Sequence, residues 1–306
     1  MKILVFTEKP FAPAAVKAIE NVINASGNEL ALVEGGTRAD LMEAVKDAEG
    51  LIVRSDKIDA EVMDNAPALK VIVRAGAGYD NIDLESATAH GICVMNTPGQ
   101  NSNAVAELVF GMVVMMCRNK CNGKSGSELK GKSLGIYAFG QVGRNVARIA
   151  KGFDMKVEAL DVFVPDEVIE AEGVKPLHDV NELFSQNDFV SLHIPATPQT
   201  RGSIGYDLVM RMPKGGVLIN TARKEVIDEA GLLKALEERT DLRYVSDIKP
   251  DNAEAFEKTC ADRVFFTPKK MGAQTAEANY NAGVAAAEQS VAFLKDGWNK
   301  FQVNKK

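Results

Sequence analysis

The chain has 306 residues, of which 46% are hydrophobic and 25% charged, and a formal net charge of −6. That length is long for one domain and comfortable for two, and the apolar content supplies a sizeable core, which excludes a largely disordered chain. The negative balance argues against nucleic acid as the main partner, and the absence of any apolar run of membrane-spanning length argues against a membrane protein.

The N-terminus opens directly on a strand pattern at Ile3–Phe6, leaving no room for a signal peptide. A helix is expected from about Pro13 to Ile23, then a strand at Leu30–Val33 and a helix at Asp40–Ala48. The alternation continues with a strand at Leu51–Arg54, a helix at Ala60–Asn65, a strand at Val71–Val73, a helix at Leu84–His90 and a strand at Ile92–Met95. Repeated βα units imply a parallel sheet with helices on both faces. The four cysteines (Cys93, Cys117, Cys121, Cys260) make no paired framework. Reduced thiols in a cytoplasmic protein are therefore expected.

After the turn Asn96-Thr97-Pro98-Gly99 a long helix is predicted from near Ser102, carrying Val105, Leu108, Val109, Met112, Val113 and Met116. Its apolar face is wide, which suits a helix crossing between domains or packing on a partner subunit. The polar stretch Asn119–Lys132 then leads into the most informative segment, Leu134 to Asp161. An apolar run (Leu134, Ile136, Tyr137, Phe139) breaks at Gly140-Gln141-Val142-Gly143. A helix follows with Val142, Val146 and Ile149 on one face, and a second apolar run, Val157 to Leu160, ends in Asp161. Strand, glycine turn, helix, strand and acid in this order form the dinucleotide-binding βαβ unit.

Each part of that unit has a physical task. Gly140 lets the backbone approach a pyrophosphate, Gly143 lets the helix lie close to the strand, and the free N–H groups at the helix start, around Gln141 and Val142, bind phosphate. Asp161, 18 residues past Gly143, accepts hydrogen bonds from the adenosine ribose and repels a 2′-phosphate, favouring NAD over NADP. Arg144 beside the turn is placed to soften that preference. The first glycine of the usual G-x-G-x-x-G is here Ala138.

Beyond Asp161, helices are expected at Asp179–Ser185, Tyr206–Met212 and Asp228–Glu238, and strands at Phe189–His193, Val217–Asn220, Arg243–Ile248 and Val264–Phe266. An alanine-rich helix from Ala276 to Phe293 closes the chain and is expected to pack back on the first domain. The expected architecture is α/β, with two doubly wound parallel sheets. A Rossmann domain of residues 98–272 is inserted into a flavodoxin-like substrate domain of residues 1–97 plus 273–306.

Several longer segments are specific. The runs Arg74–Asp83 (RAGAGYDNID), Asn96–Gly99 (NTPG), Asn103–Gly111 (NAVAELVFG), Val190–Thr197 (VSLHIPAT) and Val217–Asp228 (VLINTARKEVID) together resemble the D-isomer-specific 2-hydroxyacid dehydrogenases, in order and over nearly the whole chain. Arg54-Ser55 after the strand LIV looks most like the members that oxidise D-3-phosphoglycerate, in the short form with no C-terminal regulatory domain. The resemblance implies NAD as cofactor and oxidation of D-3-phosphoglycerate to 3-phosphohydroxypyruvate, the entry to phosphorylated serine biosynthesis. It also implies a cytoplasmic homodimer formed through the NAD-binding domain. Arg223 matches the arginine that clamps the substrate carboxylate and carbonyl, a task suited to a planar guanidinium. Ala75, Gly76 and Ala77 match the loop that receives the carboxylate, and Arg54, Ser55 and Lys57 the region contacting phosphate. His193 and Pro195, Thr221 and Asp247 fall in the segments beside the nicotinamide.

The family's acid–base histidine and its partner glutamate are missing. The segment that should carry the histidine reads Thr267-Pro268-Lys269-Lys270-Met271-Gly272, and the other reads Asp247-Ile248-Lys249-Pro250-Asp251-Asn252. Matching from Thr267 puts Lys269 in the histidine's place, and matching back from Gly272 puts Lys270 there. Asn252 falls at the glutamate, with Asp251 and Glu254 near. A lysine acting as base needs no carboxylate partner to raise its pKa, so the two changes fit together. His193 is the remaining candidate base, expected instead to be a hydrogen-bonded structural histidine. Two alternatives stay open: a glyoxylate, hydroxypyruvate or other D-2-hydroxyacid reductase, and a catalytically silent NAD-binding protein.

Overall fold

The computed structural model describes residues 1–305 and resolves the chain into two compact units, residues 1–101 with 274–306 and residues 102–273. The first unit is built from β1 (Lys2–Thr7), α1 (Pro13–Ala25), β2 (Glu29–Glu34), α2 (Arg38–Ala44), β3 (Gly50–Val53), α3 (Ala60–Asp64), β4 (Val71–Arg74), α4 (Leu84–Ala89) and β5 (Cys93–Asn96). Its sheet has the order β2-β1-β3-β4-β5, parallel throughout, which is the flavodoxin-like arrangement. The central strands are covered on both faces, so β3 is buried at every position and its neighbours read as unbroken apolar runs.

The second unit begins with α5 (Ser102–Cys117) and continues through β6 (Ser133–Tyr137), α6 (Gln141–Gly152), β7 (Lys156–Leu160), α7 (Asp166–Ala171), β8 (Lys175–Leu177), α8 (Val180–Gln186) and β9 (Phe189–Leu192). It is completed by α9 (Tyr206–Val209), β10 (Val217–Asn220), α10 (Glu229–Glu238), β11 (Arg243–Ser246), α11 (Ala253–Cys260) and β12 (Val264–Phe266). The seven strands run in the order β12-β11-β10-β9-β6-β7-β8, all parallel. The chain winds outward from β6 through β7 to β8, then returns to the other side at β9. The order reverses between β6 and β9, where a doubly wound sheet opens a crevice at its carboxyl edge.

The last helix, α12 (Ala276–Asp296), packs in the first unit against α1 and against β3 and β4. Alanine makes this close approach feasible: Ala278, Ala282, Ala286 and Ala287 are buried, and a Cβ on Gly283 would press on Ile19 and Phe11. Thr275 caps its start by accepting the Ala278 N–H at 3.0 Å, and Gly297 ends it with φ of +71°. The segment after it returns to β5, where Asn304 accepts the Val94 N–H at 2.9 Å and donates to the Ile92 carbonyl at 2.8 Å. Among the described residues no helix is long and apolar enough to cross a membrane.

Three elements were not expected from the sequence. The short α7 is acidic along its exposed face, and β8 is a three-residue edge strand containing Pro176, whose missing N–H is harmless only at an edge. The third, α11, buries only Ala253, Phe256 and Cys260, too few apolar positions for a helical period to stand out. The polar linker at Asn119–Cys121 holds three consecutive non-glycine residues at φ of +51° to +56°.

The turn after β6 is the tightest point of the second unit. A Cβ on Gly143 would overlap the Ala138 carbonyl oxygen and press on Ile136. Ala138, where the usual fingerprint has its first glycine, sits at φ of +80°, a conformation costing about 1 kcal/mol for an L residue. Gly143→Ala is therefore expected to lower stability by about 1–3 kcal/mol, because the clash is with backbone that cannot rotate away. NADH affinity should fall with it as α6 is pushed off the strand. Thermal unfolding and an NADH titration check this, and parent-like values in both would contradict it.

Candidate active site

The residues singled out in the second unit all lie at the carboxyl edge of its sheet. Gly140 caps α6 with no side-chain bond to the first turn, so the N–H groups of Gln141 and Val142 carry the usual orphaned donors of a helix start. Open space lies over Gly140, where a side chain would meet nothing. Across the edge, Asp161 follows β7. One of its oxygens accepts the Phe139 N–H at 2.7 Å, and the other accepts the N–H groups of Phe163 at 2.7 Å and Val164 at 3.0 Å. This carboxylate therefore fixes the glycine turn. Arg144 pairs with Glu172 at 3.1 Å and lies over the Phe139 ring, which turns it away from the role of softening selectivity against a 2′-phosphate.

On the other side of the reversal, His193 follows β9. Its Nε2 is 2.9 Å from the Ser191 hydroxyl and its Nδ1 is 3.4 Å from that of Thr221. The ring keeps some solvent access, yet burial pushes its pKa down to about 3. It is a neutral, oriented imidazole at physiological pH. Pro195, two residues on, is exposed, and its carbonyl accepts the Thr200 hydroxyl at 2.5 Å.

The next two strands bring the charged groups together. Asn220 ends β10 and is followed by Thr221, Ala222 and Arg223. The Arg223 guanidinium donates to the Ala222 carbonyl at 3.1 Å, and Lys270 Nζ donates to the same carbonyl oxygen. Asp247, one residue past β11, is wholly buried. One of its oxygens accepts the Gly272 N–H at 2.8 Å, and the other has no hydrogen-bond partner among the described residues. Burial raises the Asp247 pKa, while Lys270, the Gly272 N–H and Arg223 draw it down. Lysine, arginine and carboxylate thus form one electrostatic group.

Lys269 takes no part in that group. The Thr267 hydroxyl donates to the Lys269 carbonyl at 2.7 Å, and the Lys269 side chain lies exposed. The acidic residues near the missing glutamate face elsewhere: Asp251 is exposed and pairs with Lys224 at 2.5 Å, and the N–H groups of Asp251 and Asn252 donate to Glu229. Glu254 is exposed at the start of α11.

In the first unit, the residues singled out lie past β3 and β4. The Arg54 guanidinium donates to the carbonyls of Lys9 and Pro10 at 2.9 and 3.0 Å and to the Asn279 side chain at 2.6 Å, and it lies over the Phe11 ring. It therefore ties the first loop and α12 to the strand end. Ser55 and Lys57 are exposed, with Lys57 3.3 Å from Asp59. The Ala75 N–H donates to the Val53 carbonyl and that of Gly76 to the Arg74 carbonyl, both at 2.8 Å, whereas the Ala77 N–H has no partner among the described residues.

Sequence reasoning passed over Arg74 itself. Its guanidinium donates to the Arg54 carbonyl at 3.0 Å and lies so close across Gly76 that a Cβ there would overlap it. The signal was present, since a small residue two places after an arginine at a strand end leaves room for that side chain to fold back.

A family profile described as "D-isomer specific 2-hydroxyacid dehydrogenase, NAD binding domain" matches residues 109–268. The D-3-phosphoglycerate dehydrogenase of Methanocaldococcus jannaschii is 38% identical over 304 residues, covering 94% of this chain and 56% of that protein. The chain belongs to the D-isomer-specific 2-hydroxyacid dehydrogenases. The hydroxypyruvate reductase of Thermotoga maritima is 35% identical, covering 82% of this chain and 86% of that protein. Among solved structures, the NAD+-bound 3-phosphoglycerate dehydrogenase of Entamoeba histolytica is 47% identical with a TM-score of 0.90, covering 100% of this chain and 99% of that one. The chain spans little more than half the length of the archaeal phosphoglycerate dehydrogenases it matches.

The residues present fit a bound NAD. The Gln141 and Val142 N–H groups suit the pyrophosphate, Asp161 the ribose hydroxyls, and the unpartnered oxygen of buried Asp247 an amide N–H of the nicotinamide.

The depressed His193 pKa has a consequence for stability. The unfolded chain takes up a proton near the ordinary histidine pKa of about 6.5 and the folded chain does not, so the folded state loses stability as pH falls below that value. His193→Gln is expected to flatten the decline in melting temperature between pH 7 and about 5. Equal declines in parent and variant would contradict it.

Proposed function

We propose that the chain is an NAD-dependent D-2-hydroxyacid dehydrogenase acting on D-3-phosphoglycerate, interconverting it with 3-phosphohydroxypyruvate at the entry to phosphorylated serine biosynthesis. The observation that carries this reading is the joint placement of Arg223, Lys270 and Asp247 around the Ala222 carbonyl. Relatives named as phosphoglycerate dehydrogenases support the substrate.

Arg223 binds the carboxylate and the adjacent oxygen of the 2-oxo or 2-hydroxy acid, a bidentate task for which a guanidinium is shaped. In oxidation, neutral Lys270 accepts the hydroxyl proton as the carbon-bound hydrogen leaves as hydride. In reduction, the Lys270 ammonium returns that proton to the carbonyl oxygen. NAD, when bound, supplies the hydride acceptor. Asp247 would hold the nicotinamide amide of bound NAD, and its carboxyl offsets the charge of the two cations beside it. His193, neutral and held by Ser191 and Thr221, orients rather than transfers a proton.

One observation favours a second reading. The Arg54 guanidinium, expected to contact phosphate, is committed to Lys9, Pro10 and Asn279, and the Thermotoga hydroxypyruvate reductase matches over most of its own length. An unphosphorylated acid such as hydroxypyruvate or glyoxylate is the alternative substrate.

A homodimer through the NAD-binding unit is proposed on the outer stripe of α5, where Leu108, Gly111, Val114 and Met115 leave an apolar surface partly exposed. A cytoplasmic location fits four unbridged cysteines, three of them buried.

The test is NADH-linked turnover with 3-phosphohydroxypyruvate, hydroxypyruvate and glyoxylate side by side. A preference of tenfold or more in kcat/KM, about 1.4 kcal/mol, is expected for the phosphorylated acid. Activity on the other two alone would move the assignment to a general reductase, and no turnover despite NADH binding would make it a silent binder. Lys270→Ala should lower kcat by about 100-fold or more, whereas Lys269→Ala should change it less than about threefold. The reverse ranking would place the proton transfer on Lys269.

A further inference from the structure

A lysine amine stands at the end of a flexible four-carbon stem, so a proton-transfer role demands an acceptor that holds it in place without itself moving. We propose that Asn220 is the positioning residue for this group: its side chain fixes the Ala222 carbonyl as a common rest for the Lys270 ammonium and the Arg223 guanidinium. The inference rests on Lys270 being the proton-transfer group.

Asn220 is the last residue of β10 and is fully buried. Its amide spans the turn that follows. The side-chain oxygen accepts the Ala222 N–H at 2.9 Å, and the side-chain nitrogen donates to the Arg223 carbonyl at 3.0 Å. One bond needs an acceptor and the other a donor, so the network itself settles which way the amide faces. The two bonds grip the peptide units on either side of the Ala222 carbonyl, and that carbonyl can no longer swing. The Asn220 main chain is anchored in turn, its carbonyl accepting the Asp247 N–H at 3.2 Å. The buried Tyr244 phenol, on the next strand, lies close enough to the Asn220 side chain to feel its dipole.

The chemistry explains why the arrangement matters. Lys270 and Arg223 bring two positive charges to one oxygen, and the carbonyl dipole together with the Asp247 carboxylate lets both stay close. A carbonyl acceptor favours the charged form of the amine it holds. The Ala222 carbonyl therefore acts on both the direction of Lys270 and the pH at which it loses its proton. Alanine at position 220 would lose both bonds. Aspartate would keep the bond from the Ala222 N–H and lose the one to the Arg223 carbonyl.

The experiment compares Asn220→Ala and Asn220→Asp with the parent in NADH binding, kcat, KM and the pH dependence of hydroxy-acid oxidation. For Asn220→Ala we expect NADH affinity within about threefold of the parent and kcat lower by about tenfold or more. The alkaline rise in rate should move to lower pH by about half a unit or more, because the ammonium has lost an acceptor. Asn220→Asp should fall between the two in kcat, and its kcat decides alone if the alanine variant does not fold. A folded variant with parental kcat and an unmoved pH dependence would overturn the inference. So would a loss of kcat matched by an equal loss of NADH affinity, which marks general damage to the sheet edge. Lys270→Ala separates the two levels. Parental turnover in that variant removes the premise, whereas a dead Lys270→Ala beside normal Asn220 variants removes only the role of Asn220.

Discussion

Parallel pairing places the carboxyl end of every strand on the same edge of a sheet, and the second unit depends on that constraint. Seven parallel strands deliver seven carboxyl ends to one edge, and a short loop there can carry a functional residue without disturbing the core beneath. The reversal of strand order between β6 and β9 divides the labour. The strands on one side carry the glycine turn and Asp161 at that edge, and those on the other carry His193, Arg223, Asp247 and Lys270. An antiparallel sheet would scatter the same residues over two opposite edges.

Within that frame, the Ala222 carbonyl explains how a lysine can be held for proton transfer. An imidazole is rigid and needs a carboxylate behind it to set its basicity. A lysine is flexible and already too basic, so its needs are the opposite: a fixed acceptor and no strong carboxylate in direct contact. The structure supplies the acceptor. It also keeps Asp251 and Glu254 outside the group, the first on Lys224 and the second in solvent. Asp247 does face Lys270, and its Oδ2 is held by the Gly272 N–H. Of the two adjacent lysines only Lys270 joins the group beside Arg223, because Lys269 lies outward.

The fold was largely legible because both sheets obey a strong period. Strands such as Leu51–Val53 and Val217–Asn220 are buried on both faces and read as continuous β-branched and aliphatic runs, and the glycine turn with Asp161 marks a βαβ unit in few residues. What escaped was marginal by the same physics: an edge strand of three residues with a proline, and helices burying only one to three side chains. In the candidate site, residue types were legible and directions were not. Two lysines in succession point to opposite sides of the chain, and counting from Thr267 or from Gly272 gives different answers that only burial separates. Arg54 shows the converse difficulty. Its position at a strand end suits an anion contact, yet its guanidinium closes a loop and a helix of its own unit. Arg74 and Asn220 went unnoticed because their roles depend on what lies two or three residues away in space, across Gly76 and around the turn to Arg223.

The most direct test of the account is the pH dependence of NAD reduction with D-3-phosphoglycerate, measured as initial rates from pH 7 to about 10. If neutral Lys270 takes the hydroxyl proton, the rate must climb with pH across that range, approaching tenfold per pH unit while the amine is mostly charged. A profile flat over that range would contradict a lysine at the centre of the reaction.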